Sequence, residues 1–247
     1  MVKKVTKAVI TAGGYATRFL PISKAIPKEM LPVGNKPAIH YILDELAAAG
    51  ITDVLILLGR GRECLMNYLD KNYELDTVLA EQKGTAAPET NFFPQLNIYY
   101  RRVPLPRGVT DCVAHAESFV AGDPFVLAYC DDIFMDGNPT QELLTAYQDN
   151  GQSGLVVTTV PAAMASQYGI IDDNGQIIEK PKNPPSNLAA VGRYLLPGNI
   201  FATLGDDIIA ALNGIQHKNV ITTKSKRFDV GNPAGLYAAF QYIMSQN

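Results

Sequence analysis

Short, continuous apolar runs alternate along the first half of the chain with stretches in which apolar positions recur every three or four residues. Lys7–Ala12, Asp53–Leu58, Leu96–Tyr100 and Phe125–Tyr129 are runs of the first kind. They read as strands. Ala38–Ala49 is of the second kind: Ile39, Ile42, Leu43 and Leu46 share one helical face, Pro37 precedes them and Gly50 follows as a stop. Glu63–Lys71 and Asp111–Phe119 are also predicted helices. This β-then-α rhythm predicts βαβ units and a parallel sheet. The stretch 72–94 has few apolar anchors and carries Gly84, Pro88 and Pro94, so it reads as a surface excursion.

Beyond Gly151 the rhythm changes. Ser153–Val160 is a predicted strand, and Gly169–Asp172 faces Gln176–Glu179 across Asp173-Asn174-Gly175, a hairpin signal that adds antiparallel structure. A strand over Val191–Leu195 and helices over Ile200–Leu212 and Pro233–Met244 complete the chain. The fold class expected is α/β, a Rossmann-like mixed and mostly parallel sheet flanked by helices. No internal repeat or linker divides it.

Composition narrows the function classes. The 247 residues are 47% apolar and 18% charged, enough for a substantial core, and the net charge is −3. With no long Lys/Arg block, nucleic-acid binding is disfavoured. Cys64, Cys112 and Cys130 are an odd number set far apart, matching neither a disulfide framework nor a zinc pattern, so a reducing cytoplasm is expected. The apolar run after the basic N-terminus is too short for a signal peptide, and no stretch is long enough for a membrane span.

The candidate chemistry begins where the first strand runs into Ala12-Gly13-Gly14-Tyr15-Ala16-Thr17-Arg18. Small residues at a strand C-terminus let backbone N–H groups approach a base or phosphate. The turn matches neither GxxxxGK[ST] nor GxGxxG, and alone it is also consistent with a tight turn that binds nothing. Arg18, Lys24 and Lys28 follow within one loop stiffened by Pro21, Pro27 and Pro32. Cations held beside a glycine turn suit a triphosphate, although a solvated basic loop has the same composition. Asp131 stands at the end of the Phe125–Cys130 run, and Asp229 lies in Arg227-Phe-Asp-Val-Gly231. Either aspartate is also consistent with a cap or turn residue.

The segment Ala12–Pro32 resembles the signature of the bacterial UTP:glucose-1-phosphate uridylyltransferases, a pattern close to AAGxGTRFLPxTKxxPKEMLP. Further matches follow in order: Lys36-Pro37, Gly59-Arg-Gly61, Asn72-Tyr-Glu-Leu75, Asp131-Asp132, Tyr168-Gly-Ile170, Glu179-Lys-Pro181, Ser186-Asn187 to Val191-Gly-Arg-Tyr194, and Arg227 to Gly231. They span nearly the whole chain. The resemblance implies a single nucleotidyltransferase domain whose nucleotide-binding part is about 1–150 and whose sugar-phosphate-binding part is about 151–247. It implies UTP and glucose 1-phosphate as substrates and Mg²⁺ as cofactor, held by Asp131 and Asp229 with Asp132 as an alternative ligand. Ala12, Gly13, Gly14 and Gly108 are implied for the nucleotide, Arg18 for its β- and γ-phosphates and Lys28 for charge at the α-phosphate. Gly169, Glu179, Lys180 and Val191 are implied for the sugar phosphate. His40, His115 and His217 need no catalytic role, because a phosphate monoester is already a competent nucleophile.

Three departures from the pattern matter. Ala16 replaces a glycine before Thr17-Arg18. Val103 falls where the family reads uracil with a glutamine amide, and valine can neither donate nor accept a hydrogen bond. The same chemistry with dTTP or CTP is therefore an alternative, as is a nucleotide-sugar-binding homologue without turnover, and Val103→Gln is expected to sharpen the preference for UTP. The C-terminal region is abbreviated around Gly205-Asp-Asp-Ile-Ile-Ala-Ala211, where sugar contacts and any homo-oligomer interface would differ.

Overall fold

A computed structural model describes residues 2–83 and 90–246. In chain order its elements are β1 (Lys7–Ala12), the short strands β2 (Pro32–Val33) and β3 (Lys36–Pro37), α1 (Ala38–Ala48), β4 (Asp53–Leu58), α2 (Glu63–Leu69), α3 (Tyr73–Lys83) and β5 (Asn97–Arg102). Next come α4 (Val109–Ala114), α5 (Glu117–Val120), β6 (Phe125–Tyr129), β7 (Asp132–Met135) and α6 (Pro139–Asn150). The remainder comprises β8 (Gly154–Thr159), β9 (Gly169–Ile171), β10 (Ile177–Glu179), β11 (Leu188–Leu196), α7 (Ile208–Asn213), β12 (Asn219–Thr222), β13 (Lys226–Asp229) and α8 (Pro233–Gln246).

The apolar runs form the centre of one sheet, in the order β10-β9-β11-β6-β1-β4-β5, with β8 also paired to β11 and β12 to β8. Strands β6, β1, β4 and β5 are mutually parallel. Strands β6, β1 and β4 send alternate residues into two separate cores, which is why those runs show no polar alternation, whereas β5 packs only Ile98 and Tyr100 on the first core and leaves its other face exposed. In β1, Ala8, Ile10 and Ala12 face one core and Val9 the other. The first core is closed by α1, α2 and α6, with Ile39, Leu65 and Leu143 among its members. The second is closed by α4, α5 and α7 through Val113, Val120 and Leu212. Level registers, Lys7↔Asp53 and Lys7↔Phe125, bring the C-terminal ends of β1 and β6 side by side, with Thr11 beside Tyr129. The glycine turn and Asp131 therefore leave the sheet at the same edge, where open α/β sheets bind ligands.

Within the main sheet antiparallel pairing enters with the strands after residue 151, as expected, while the short pair β2–β3 is antiparallel outside it. Strands β9 and β10 form the predicted hairpin, with Glu179 opposite Gly169. Strand β11 is longer than predicted and carries a register shift between Ala190 and Tyr194, which lets it pair with β6, β8 and β9.

Four expectations change. The helix read over Asp111–Phe119 is two helices, because His115 and Ala116 donate to the third carbonyl back, Cys112 and Val113, and tighten the turn between α4 and α5. The helix read over Ile200–Leu212 is a 3₁₀ turn at Ile200–Ala202 followed by α7, whose start is set by the Asp207 carboxylate accepting from Ile209 N. Helix α6 is an addition, although Asn138-Pro139 and Gly151 are start and stop signals; the Asn138 side chain caps Gln141 N. The 72–94 excursion contains α3, which buries none of its side chains and begins where Asn72 Oδ1 accepts from Leu75 N. Gly84 and Pro88 of that excursion lie outside the described residues. No helix among the described residues is long and apolar enough to cross a membrane.

Candidate active site

At the sheet edge where β6 ends lies a cavity of about 630 Å³, within the usual range for a small-molecule site. Of the residues singled out by sequence, Arg18, Asp131, Asp132, Gly169, Glu179, Lys180 and Asp229 line it. They come from four separate stretches of chain.

Asp131 stands one residue past Cys130 at the end of β6, about one-third exposed, and accepts a bond from Lys28 Nζ at 2.5 Å. Burial works against the Lys28 charge, but Cys130, Asp131 and Glu29 around it more than offset that and leave its pKa raised. Burial pushes the Cys130 thiol well up, so it is neutral and Asp131 is the physical partner. Lys28 does not itself line the cavity; it is fixed as a cation behind the cavity-lining Asp131.

Strand β13 pairs antiparallel with β7, placing Asp229 opposite Asp132, and Val230 N donates to Asp131 O at 2.8 Å. Gly231 follows. A Cβ built on Gly231 would stand 2.8 Å from Asp131 Oδ2 and 3.0 Å from Asp229 Oδ1. The two carboxylates thus face a common space that only glycine leaves open. Among the described residues no group of three or more acidic, histidine or cysteine side chains converges on one point. A pair of carboxylates open to further ligands is the donor set typical of Mg²⁺, which takes most of its remaining ligands from water and phosphate.

Asp132 has a different task. Its carboxylate accepts from Gly192 N at 2.7 Å, from Arg227 Nε at 2.7 Å and from Arg227 Nη2 at 2.5 Å. Burial opposes the Arg227 charge and Asp132 outweighs it, so the Arg227 pKa is raised, while burial lifts the Asp132 carboxyl against the pull of Arg227. These three donors leave Asp132 a brace rather than a free ligand. Arg227 stacks on Tyr168 at 5.1 Å and itself lines the cavity. Sequence reasoning assigned no role to Arg227, although it stands two residues from Asp229 on one strand and so shares its face.

On the opposite wall, Lys180 Nζ lies 3.2 Å from Glu179 Oε1 and its side chain is 63% exposed. The Lys180 backbone is left-handed at φ +44°, a conformation of the kind that concentrates at ligand sites. Lys180 N donates to Tyr168 O, tying the hairpin end to the Tyr168-Gly169 corner.

Other sequence-predicted residues stand apart from the cavity. Val191 is buried in the first core, and its neighbours Ala190 and Gly192 line the cavity instead, because alternation along β11 turns the Val191 side chain away. Ala12 and Gly13 are buried, with Pro106 Cβ and Cys112 Sγ each 3.2 Å from where a Gly13 Cβ would be. Gly14 is exposed and its carbonyl accepts from Arg62 Nη2 at 2.6 Å. Gly108 is exposed, next to the cavity-lining Val109. Ala16 is left-handed at φ +51°, which explains the glycine of the related pattern; the methyl group here costs about 1 kcal/mol.

Val103 is fully buried in the second core, in a cluster that includes Cys112 and Val113, and its N–H donates to Leu58 O. An amide at this position would lie in apolar surroundings. Val103→Gln is accordingly expected to destabilise the fold by about 1–3 kcal/mol, read as a lower urea midpoint, with the UTP-over-dTTP ratio unchanged. Native stability with a sharpened ratio would instead restore a base-reading role to position 103.

The nucleotidyl transferase family profile matches residues 7–246. UTP–glucose-1-phosphate uridylyltransferase 2 of Staphylococcus saprophyticus is 36% identical over 259 residues, covering 94% of this chain and 90% of the relative. The UTP–glucose-1-phosphate uridylyltransferase of Staphylococcus epidermidis is 36% identical over 260 residues, with the same coverage. Among solved structures, a UTP-bound UGPase from Acinetobacter baumannii superposes with a TM-score of 0.88 at 30% identity, over 98% of this chain and 94% of that one. A UDP-glucose pyrophosphorylase complexed with UDP-glucose gives 0.85 at 29% identity, over 98% and 100%. With its parallel sheet, its edge cavity and its paired aspartates, the chain belongs to the nucleotidyl transferase family, alongside the bacterial UTP–glucose-1-phosphate uridylyltransferases.

Proposed function

We propose that this chain transfers the uridylyl group of UTP to glucose 1-phosphate, releasing pyrophosphate and forming UDP-glucose. The observation that carries the reading is the convergence of Asp131 and Asp229 on the Gly231 gap, with Lys28 bonded to Asp131, beside a cavity that Glu179 and Lys180 also line. The names of the relatives support it.

Residues of about 1–150 hold the nucleotide and those of about 151–247 the sugar phosphate. Asp131 and Asp229 hold Mg²⁺, which when bound draws negative charge from the phosphate oxygens it touches. Arg18 grips the β- and γ-phosphates. Lys28, pinned by Asp131, meets the charge that grows around the α-phosphorus. Lys180 orients the phosphate of glucose 1-phosphate, Glu179 accepts from sugar hydroxyls, and Gly169 admits the sugar close to the backbone. An oxygen of the sugar phosphate attacks the α-phosphorus in line as the bond to the β-phosphate oxygen breaks, and pyrophosphate leaves with that electron pair. No covalent enzyme intermediate and no general base is needed. The reaction belongs in a cytoplasmic setting.

Because no side chain at position 103 reads the base, backbone groups near Gly13 and Gly108 are the available readers. Pyrophosphate release compared across the five common triphosphates, with and without Mg²⁺, tests the reading. UTP preference with magnesium dependence supports it; dTTP or CTP preference gives the same chemistry another base, and binding without turnover gives a non-catalytic homologue.

Lys180→Ala is expected to raise the KM for glucose 1-phosphate about 5–30-fold, the loss of roughly 1–2 kcal/mol from one charge-assisted contact in a solvated site. The KM for UTP and the kcat should stay within about threefold. Equal effects on both substrates would remove Lys180 from the sugar-phosphate wall.

A further inference from the structure

Arg193 on β11 is fully buried, and every N–H of its guanidinium has a partner. Nε and Nη2 donate to the two oxygens of Glu45 on α1, at 2.9 and 2.8 Å. Nη1 donates to Gly192 O at 2.8 Å and Tyr129 O at 3.3 Å, and Nη2 donates to Asp132 O at 2.9 Å. Glu45 is itself buried and also accepts from Thr140 Oγ1 at 2.6 Å. The Phe134 ring covers the guanidinium at 5.1 Å.

Removing an ion pair from water is costly, and an apolar pair of similar volume could join α1 to β11 at least as well. An apolar pair could not bond main-chain carbonyls. Two of the three carbonyls that Arg193 holds, those of Tyr129 and Asp132, bracket Cys130-Asp131. The third belongs to Gly192, whose N–H holds the Asp132 carboxylate that braces Arg227. One buried cation thus bonds both sides of the turn from which Asp131 projects.

We propose that Arg193, oriented by Glu45, is a positioning residue that fixes the Tyr129–Asp132 turn and with it the Asp131 carboxylate. The catalytic part of this inference rests on the functional reading above; the structural part does not. A tightly placed carboxylate matters because displacement of about 1 Å at a reacting centre lowers rate by about a hundredfold.

The test replaces both members, Arg193→Met with Glu45→Leu, so that no unpaired charge is left buried. Cooperative unfolding is checked first. Amide hydrogen exchange across Tyr129–Ile133 is then expected to be at least about tenfold faster than in the native chain, with the Ala8–Ile10 amides of β1 unchanged. Turnover is expected to drop about 10–100-fold in kcat, with the KM for glucose 1-phosphate within about twofold. Native exchange across Tyr129–Ile133 in a folded variant overturns the proposal, whatever happens to turnover. Should the double variant not fold, Arg193→Lys, with three donors in place of five, is read by the same measurements. A native chain that makes no product refutes the functional reading alone, and exchange still decides the positioning role.

Discussion

Asp131→Ala is expected to reduce turnover by about a hundred- to several-thousand-fold, a loss of roughly 3–5 kcal/mol of transition-state stabilisation. The substitution removes a carboxylate from the Gly231 gap and releases Lys28 from its 2.5 Å contact. Stability is expected to fall by only about 1–2 kcal/mol, because Asp131 is partly exposed while Lys28 loses its acceptor. Asp131→Asn separates the two effects. Its amide oxygen still accepts from Lys28, so thermal unfolding should return close to native while activity stays lost. Steady-state kinetics with both substrates and a melting curve for each variant check this; near-native kinetics for either would remove Asp131 from the reaction.

Gly231→Ala is expected to lower kcat about a hundredfold although it changes no charged group. Its added methyl would sit within about 3 Å of both carboxylates and force at least one of them aside. Displacement of that size is ruinous for in-line transfer. The Gly231 backbone is not left-handed, so the substitution brings no conformational strain of its own, and the melting temperature should fall by only a few degrees. The magnesium concentration for half-maximal rate is expected to rise as well. A variant within threefold of native, with unchanged magnesium dependence, would show that the space beside Gly231 is not used.

Much of this was legible along the chain because buried parallel strands and helix stops leave strong local marks. The runs at Lys7–Ala12, Asp53–Leu58 and Phe125–Tyr129, the stop at Gly50 and the hairpin at Asp173-Asn174-Gly175 are all set by nearby residues. The sequence is silent where tertiary contacts decide. Val191 within β11 and Val103 just past β5 carry no sign of which way they turn, and both lie in the core. The break after Ala114 depends on a three-residue hydrogen-bonded turn that leaves no breaker residue, whereas the break after Ala202 has a mark in Gly205, left-handed at φ +50°. Asp131 and Asp132 are adjacent and chemically identical. Only the register of β7 with β13, which gives Asp132 to Arg227, separates the open carboxylate from the brace. The buried Arg193–Glu45 pair is 148 residues apart in sequence, beyond any local pattern.

The most direct test of the central claim is phosphorus NMR of the native chain incubated with UTP, glucose 1-phosphate and Mg²⁺. Equal amounts of UDP-glucose and pyrophosphate should accumulate, stop accumulating when the metal is chelated, and be absent with Asp131→Asn. Hydrolysis of UTP without UDP-glucose, or no change in any phosphorus signal from a folded protein that binds UTP, would contradict the account.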